Sequence, residues 1–187
     1  MKETVQILAG LLLLVNVAGA QVHAGLSGKI SVPLKFAYFI GLGGAGLHLE
    51  GGYLLKERVD FTASAENVWF PIPAQGLKTT AYQIGIKYII LKRSVKPYIG
   101  VGAGFFQTSY TNILSDGYTY KYREQPGVGC VPSVGVLVSS EWLKGLFINP
   151  EFSYYYTSPP QRIKPVNFSI GLVYFFECKK KADTNKE

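Results

Sequence analysis

The 187-residue chain is poor in the residue types that most often carry chemistry. It holds two cysteines (Cys130 and Cys178), two histidines (His23 and His48), and 12 acidic residues against 19 lysines and arginines. Two cysteines permit at most one disulfide, and any imidazole chemistry must use one of two side chains. Beyond residue 20 no apolar run reaches the ~20 residues that a membrane-spanning helix needs. Low-complexity linkers and tandem repeats are also missing, and the basic residues form neither an arginine cluster nor a basic helix. The formal charge of +7 therefore does not read as a nucleic-acid surface. It reflects loops, interior positions and the tail Lys179-Lys180-Lys181, so no nucleic-acid partner is expected.

What the chain does have begins at its N-terminus. Met1-Lys2 precedes an apolar stretch from Ile7 to Val15, followed by Asn16-Val-Ala-Gly-Ala20. A positive start, an apolar centre and small residues at the cleavage positions, here Ala18 and Ala20, are the parts of an export signal. Residues 1–20 are read as a cleaved signal peptide and 21–176 as one domain, with 177–187 as a basic periplasmic tail. About 167 residues suffice for a single domain.

Within that domain a period of two recurs eight times. Val22, Ala24, Leu26, Ile30, Val32 and Leu34 alternate with His23, Ser27, Lys29 and Ser31. Leu47, Leu49, Tyr53 and Leu55 oppose His48, Glu50 and Gly52. Val59, Phe61, Ala63 and Ala65 oppose Asp60, Thr62, Ser64 and Glu66. The remaining five segments centre on 82–90, 95–105, 133–139, 148–156 and 166–176. In the fifth, Ile99, Val101, Ala103 and Phe105 oppose Gly100, Gly102 and Gly104. The connections alternate as well. Those at 35–46, 67–79, 109–128 and 157–164 read as long, and those at 56–58, 91–94 and 140–145 as short. Outer-membrane barrels have short periplasmic turns and longer outer loops.

Lipid cannot satisfy an open sheet edge, so a spanning sheet must close on itself. The expectation is an all-β, eight-stranded, antiparallel up-and-down transmembrane β-barrel. Its apolar face touches lipid, and its interior is just wide enough for side chains. His23, Lys29, His48, Glu50, Asp60, Glu66, Gln83, Lys87 and Glu151 then form an interior polar network, paired because unpaired burial is costly. Glycines leave room for longer side chains from neighbouring strands. Aromatic belts fit the same picture: Trp69, Phe70 and Tyr154 to Tyr156 near the outer end, Trp142, Tyr174 and Phe176 near the inner end.

The export signal, the segment Lys96-Pro-Tyr-Ile-Gly-Val-Gly-Ala-Gly104 and the final strand Val166-Asn-Phe-Ser-Ile-Gly-Leu-Val-Tyr-Phe-Phe176 together resemble the small outer-membrane β-barrel family of Gram-negative bacteria. That group includes OmpA-like, OmpX-like and OmpW-like barrels. The chain looks most like the stand-alone porin-family "outer membrane protein beta-barrel domain" members of Bacteroidetes. The resemblance implies a Gram-negative outer-membrane location, with outer-membrane lipid and the assembly machinery as partners. Family members serve structural, adhesive and small-solute roles. This chain departs from the family by continuing for Glu177 to Glu187 after Phe176, so a terminal assembly signal would be internal.

Other features bear on chemistry. Gly41-Leu-Gly-Gly-Ala-Gly46 matches the dinucleotide pattern G-x-G-x-x-G, but that pattern requires a helix directly after it and a strand-like stretch stands there. The histidines, with Glu50, Asp60 and Glu66, offer a metal or proton-transfer site; a packing network is the simpler account. No serine is placed beside either histidine, so no catalytic residue, metal or cofactor is assigned and no enzyme activity is expected. Cys130 and Cys178 fall at opposite ends of the wall, too far apart for a bond that needs Cα atoms within ~7 Å. Exposed tyrosines favour recognition, so Tyr110, Tyr118, Tyr120, Tyr122 and Arg123 in the longest loop, with Tyr154, Tyr155 and Tyr156 beside them, form the expected surface for an extracellular protein or polymer. Pro33, Pro132 and Pro150 fall in or near strands, where a missing amide hydrogen is unwelcome. A monomer is expected. Two alternatives stay open: a barrel, soluble or embedded, that binds or carries a small apolar solute, and an outer-membrane lipid-modifying enzyme.

Overall fold

The computed structural model describes residues 21–33, 43–72, 75–113, 119–139, 144–158 and 165–176. The signal peptide, Tyr118, Trp142 and the tail from residue 177 lie outside the described residues. The strands are β1 (Gln21–Pro33), β2 (Gly44–Leu55), β3 (Val59–Ile72), β4 (Gln75–Ile89), β5 (Val95–Ile113), β6 (Thr119–Arg123), β7 (Gly127–Ser139), β8 (Leu146–Tyr154), β9 (Tyr156–Ser158) and β10 (Pro165–Phe176). All pairings are antiparallel, and β1 closes on β10.

Ten segments make eight staves. β6 and β7 form one, interrupted at 124–126, and β8 and β9 form another, interrupted at Tyr155. Proline accounts for the second break. The ladder between β7 and β8–β9 keeps one register throughout, from Ser139↔Phe147 to Val128↔Ser158. It lapses in two places, opposite Pro132 and at Pro150. Each proline stands where a donor should face the neighbouring stave, and proline has no N–H to give. β8 runs unbroken past Pro150, so that proline does not delay its start: it begins at Leu146.

Two connections are shorter than the alternation suggests. β3 and β4 remain paired as far as Ile72↔Gln75, so the 67–79 stretch is an extended hairpin and not a loop. β5 runs for 19 residues, stays paired with β4 as far as Gln75↔Asn112 and returns as β6, turning much of 109–128 into part of a projecting arm built from β3, β4, β5 and β6. Polar residues such as Asn67, Lys78 and Ser109 hide these extensions from a search for alternation. At the short-turn end, Lys56 and Glu57 both adopt positive φ (49° and 57°), the geometry of a type I′ hairpin turn.

The faces distinguish a lipid-embedded barrel from a soluble one. Leu26, Ile30, Leu49, Ile84, Ile99, Phe105 and Ile170 are each more than half exposed, Ile84 at 71%. Lys29, Asp60, Glu66 and Lys87 are buried. A soluble ligand-binding barrel would reverse this, and an apolar surface of such extent does not persist in water. Twelve residues, the length of β10, rise about 30 Å at ~3.3 Å per residue and ~40° tilt, enough for a lipid-facing band about 25 Å tall.

Inside, the turn end is plugged by Leu54, Ile89, Tyr98, Leu137, Val173 and Phe175. A second apolar group of Ala81, Phe106, Val131 and Tyr155 lies toward the loop end. Phe70 belongs to the interior too, being 3% exposed. It is therefore not part of an outer aromatic belt: one residue along from the outward Trp69, it points the other way.

Candidate functional site

Between the two apolar groups the lumen is crossed by charged pairs that join staves two apart. His23 on β1 stands opposite Gly52 on β2, and its Nε2 lies 2.7 Å from Asp60 Oδ1 on β3. Gly52 makes the crossing possible: a Cβ there would lie 2.9 Å from that Nε2 and against the Phe61 carbonyl oxygen. Lys29 is opposite Gly46 and donates to Glu66 on β3 and to the Tyr155 hydroxyl, the latter at 2.8 Å. Tyr98 on β5 is opposite Gly135 on β7. Its hydroxyl passes over that glycine to within 2.8 Å of Asn149 Oδ1 and 2.7 Å of Glu151 Oε2 on β8.

Lys87 is the hub. Its Nζ donates to Glu50 at 2.7 and 2.9 Å and meets Glu151 at 3.0 Å, with the Tyr98 ring beneath it at 5.0 Å. His48 joins the two halves, Nδ1 at 3.3 Å from Glu66 and Nε2 at 3.6 Å from Glu50. Ser31 and Asn167 add a further buried pair. Taking charges out of water is repaid only where geometry and hydrogen bonds are good, and here each ammonium group has two or more partners.

All nine residues expected in the lumen point into it: His23, Lys29, His48, Glu50, Asp60, Glu66, Gln83, Lys87 and Glu151. Gln83 makes none of these bridges and lines a cavity of about 30 Å³ beside Glu50, Lys87 and Glu151, room for one water. Tyr98, Asn149 and Tyr155 belong to the network without having been expected there. Parity was the available signal, since each shares the inward phase of its strand with Gly100, Glu151 or Ser153.

That phase also corrects the expected recognition surface. Tyr155 is 2% exposed, held inside by Lys29 and by the Phe106 ring at 5.0 Å. It cannot serve as part of an external platform. Tyr156 is exposed and Tyr154 half-buried. On the projecting arm every residue of β6 is exposed. Directly paired residues share a face, so the chain of partners Trp69↔Lys78↔Ser109↔Arg123 aligns two cations and an indole on the outer side. Lys121 lies two residues along on the same side, and Lys78 Nζ sits 5.6 Å from the centre of the Trp69 ring. Tyr120 and Tyr122 take the opposite face of the arm. Tyr110 is paired with Tyr122 in the ladder.

The dinucleotide reading is excluded by the secondary structure beside it: from Gly44 the chain is strand β2, not a helix. Cys130 is free and exposed, and Cys178 lies outside the described residues.

No family model matches the chain, and no curated protein is detectably similar in sequence. Solved structures are similar in fold. Neisserial surface protein A superposes with a TM-score of 0.63 at 16% identity, covering 85% of this chain and 98% of that one. The N-terminal β-barrel domain of Pseudomonas aeruginosa OprF gives 0.54 at 17%, covering 83% and 97%. Ail, the attachment invasion locus protein of Yersinia pestis, solved with the heparin analogue sucrose octasulfate, gives 0.54 at 14%, covering 84% and 97%. The fold is that of the small outer-membrane β-barrels.

Proposed function

We propose that this chain is an outer-membrane barrel that acts through its exposed arm, as a surface-recognition protein for anionic polymers, and that its lumen is structural. The observation that carries the reading is the arm itself. The ends of β3, β4 and β5 project together with β6 and present Arg123 in register with Lys78 and Trp69, with Lys121 two residues along on the same side. Two further observations support it. The histidines of the lumen meet carboxylates, His23 with Asp60 and His48 with Glu50 and Glu66, which is a pairing pattern and not a nucleophile with its base. A barrel of the same fold, Ail, was solved with a heparin analogue.

Rigid aromatics beside clustered cations give contact area at low entropy cost and long-range attraction that salt screens. The test is retention of the detergent-folded barrel on immobilised heparin. Lys121→Gln with Arg123→Gln lowers the affinity about tenfold, a change of about 1.4 kcal/mol, and the retained fraction falls as salt rises. Retention equal to wild type in the double variant refutes the assignment. Across planar bilayers the barrel conducts no measurable current, since the plug fills the turn end.

A further inference from the structure

The enclosed lumen is rich in carboxylates. Among the described residues, Glu50, Asp60, Glu66 and Glu151 face only two ammonium groups, those of Lys29 and Lys87. The two histidines meet the same carboxylates, His23 at Asp60 and His48 at Glu50 and Glu66. A buried carboxylate is costly unless it is paired or coordinates a metal.

We propose that the barrel binds one divalent transition cation of the zinc class between His23, Asp60 and Glu50. One donor atom of each lies within 4.8 Å of the others, close enough for small side-chain rotations to bring all three onto one ion. The set of one imidazole and two carboxylates suits zinc-type ions better than magnesium or calcium, which take oxygen ligands alone. The ligands come from three staves, β1, β2 and β3, meeting over Gly52. The side chains of His23, Asp60 and Glu50 are 0%, 4% and 8% exposed.

A buried donor atom points to a ligand here. His23 Nδ1 is buried with no hydrogen-bond partner, so the imidazole is under-satisfied by protein alone. Glu50 also borders the 30 Å³ cavity, on its side toward Lys87 and Glu151. Lys87 and His48 remain on the Glu50 carboxylate and hold its orientation, the part that outer partners play around metal ligands. A divalent ion ties together the first three staves.

The experiment uses the full barrel refolded in detergent after chelator treatment, then dialysed against zinc and against cobalt. Metal content by mass spectrometry is expected at one equivalent per chain. The cobalt form shows the visible absorption of a low-coordinate nitrogen and oxygen site, and zinc raises the temperature at which the unboiled folded band is lost on a gel. His23→Gln keeps a donor toward Asp60 and Asp60→Asn keeps its size; each loses the equivalent while the folded band persists. Folded wild type that retains less than a tenth of an equivalent overturns the proposal. So does uptake unchanged in both variants.

Discussion

Replacing Lys87 by methionine tests the lumen most directly. Methionine keeps the length and apolar stem of lysine and removes only the ammonium group, which bridges Glu50 at 2.7 and 2.9 Å and Glu151 at 3.0 Å. Its side chain and those of both carboxylates are no more than 10% exposed, so little more than the one water of the adjoining 30 Å³ cavity can replace it. Left behind are two like charges, helped only by His48 at 3.6 Å from Glu50 and the Tyr98 hydroxyl at 2.7 Å from Glu151. Removing one partner of a buried pair costs about 3–5 kcal/mol. Counting three charge-assisted bonds at ~1.5–3 kcal/mol each gives a higher ceiling, which the two surviving contacts lower. A loss of about 4 kcal/mol is a large share of a net stability of ~5–15 kcal/mol. Urea titration of the barrel folded into lipid vesicles, followed by tryptophan fluorescence, reads the change. Adding Glu50→Gln and Glu151→Gln to Lys87→Met removes the stranded charges and restores most of the loss. A single variant that loses under ~1 kcal/mol refutes the reasoning, as does a triple variant less stable than the single one.

Other consequences are equally concrete. Gly52→Ala sets a Cβ against the Phe61 carbonyl and the His23 ring and pushes His23 off Asp60; the folded, heat-modifiable band drops sharply in the cell envelope, whereas Gly28→Ala, whose Cβ meets nothing closer than 4.0 Å, leaves it unchanged. Pro132→Val supplies the N–H missing opposite Tyr154 and adds about 1 kcal/mol of stability, with slower amide exchange on β8 and β9; faster exchange there would contradict the account of the broken ladder. Lys56→Asn with Glu57→Gly relieves two positive-φ positions at about 1 kcal/mol or more, and an unchanged urea midpoint would count against a type I′ turn.

The likeness to other barrels is structural and weak in sequence, at 14–17% identity for the three compared. A barrel wall needs only alternation, small turns and closure, which many sequences satisfy. Little identity therefore survives where the architecture does.

Alternation alone determined which residues face lipid and which face the lumen, because successive side chains of a strand point to opposite sides whatever the strand pairs with. That is why His23, Lys29, Glu50, Asp60, Glu66 and Lys87 were legible as interior residues, and why Tyr155 belongs with the lumen while Tyr154 and Tyr156 belong with the outer wall. The ends of β3, β4 and β5 were not legible, since there Asn67, Lys78 and Ser109 stand on the outer face and the outward apolar period disappears. Partnership needed the tertiary structure. His23 meets Asp60, Lys29 meets Glu66 and Lys87 meets Glu50, each 37 residues away, and none of these pairs sits on adjacent staves. Only the curvature of a closed barrel brings such side chains within reach, with glycine at 52 clearing the path of His23 and glycine at 135 that of Tyr98.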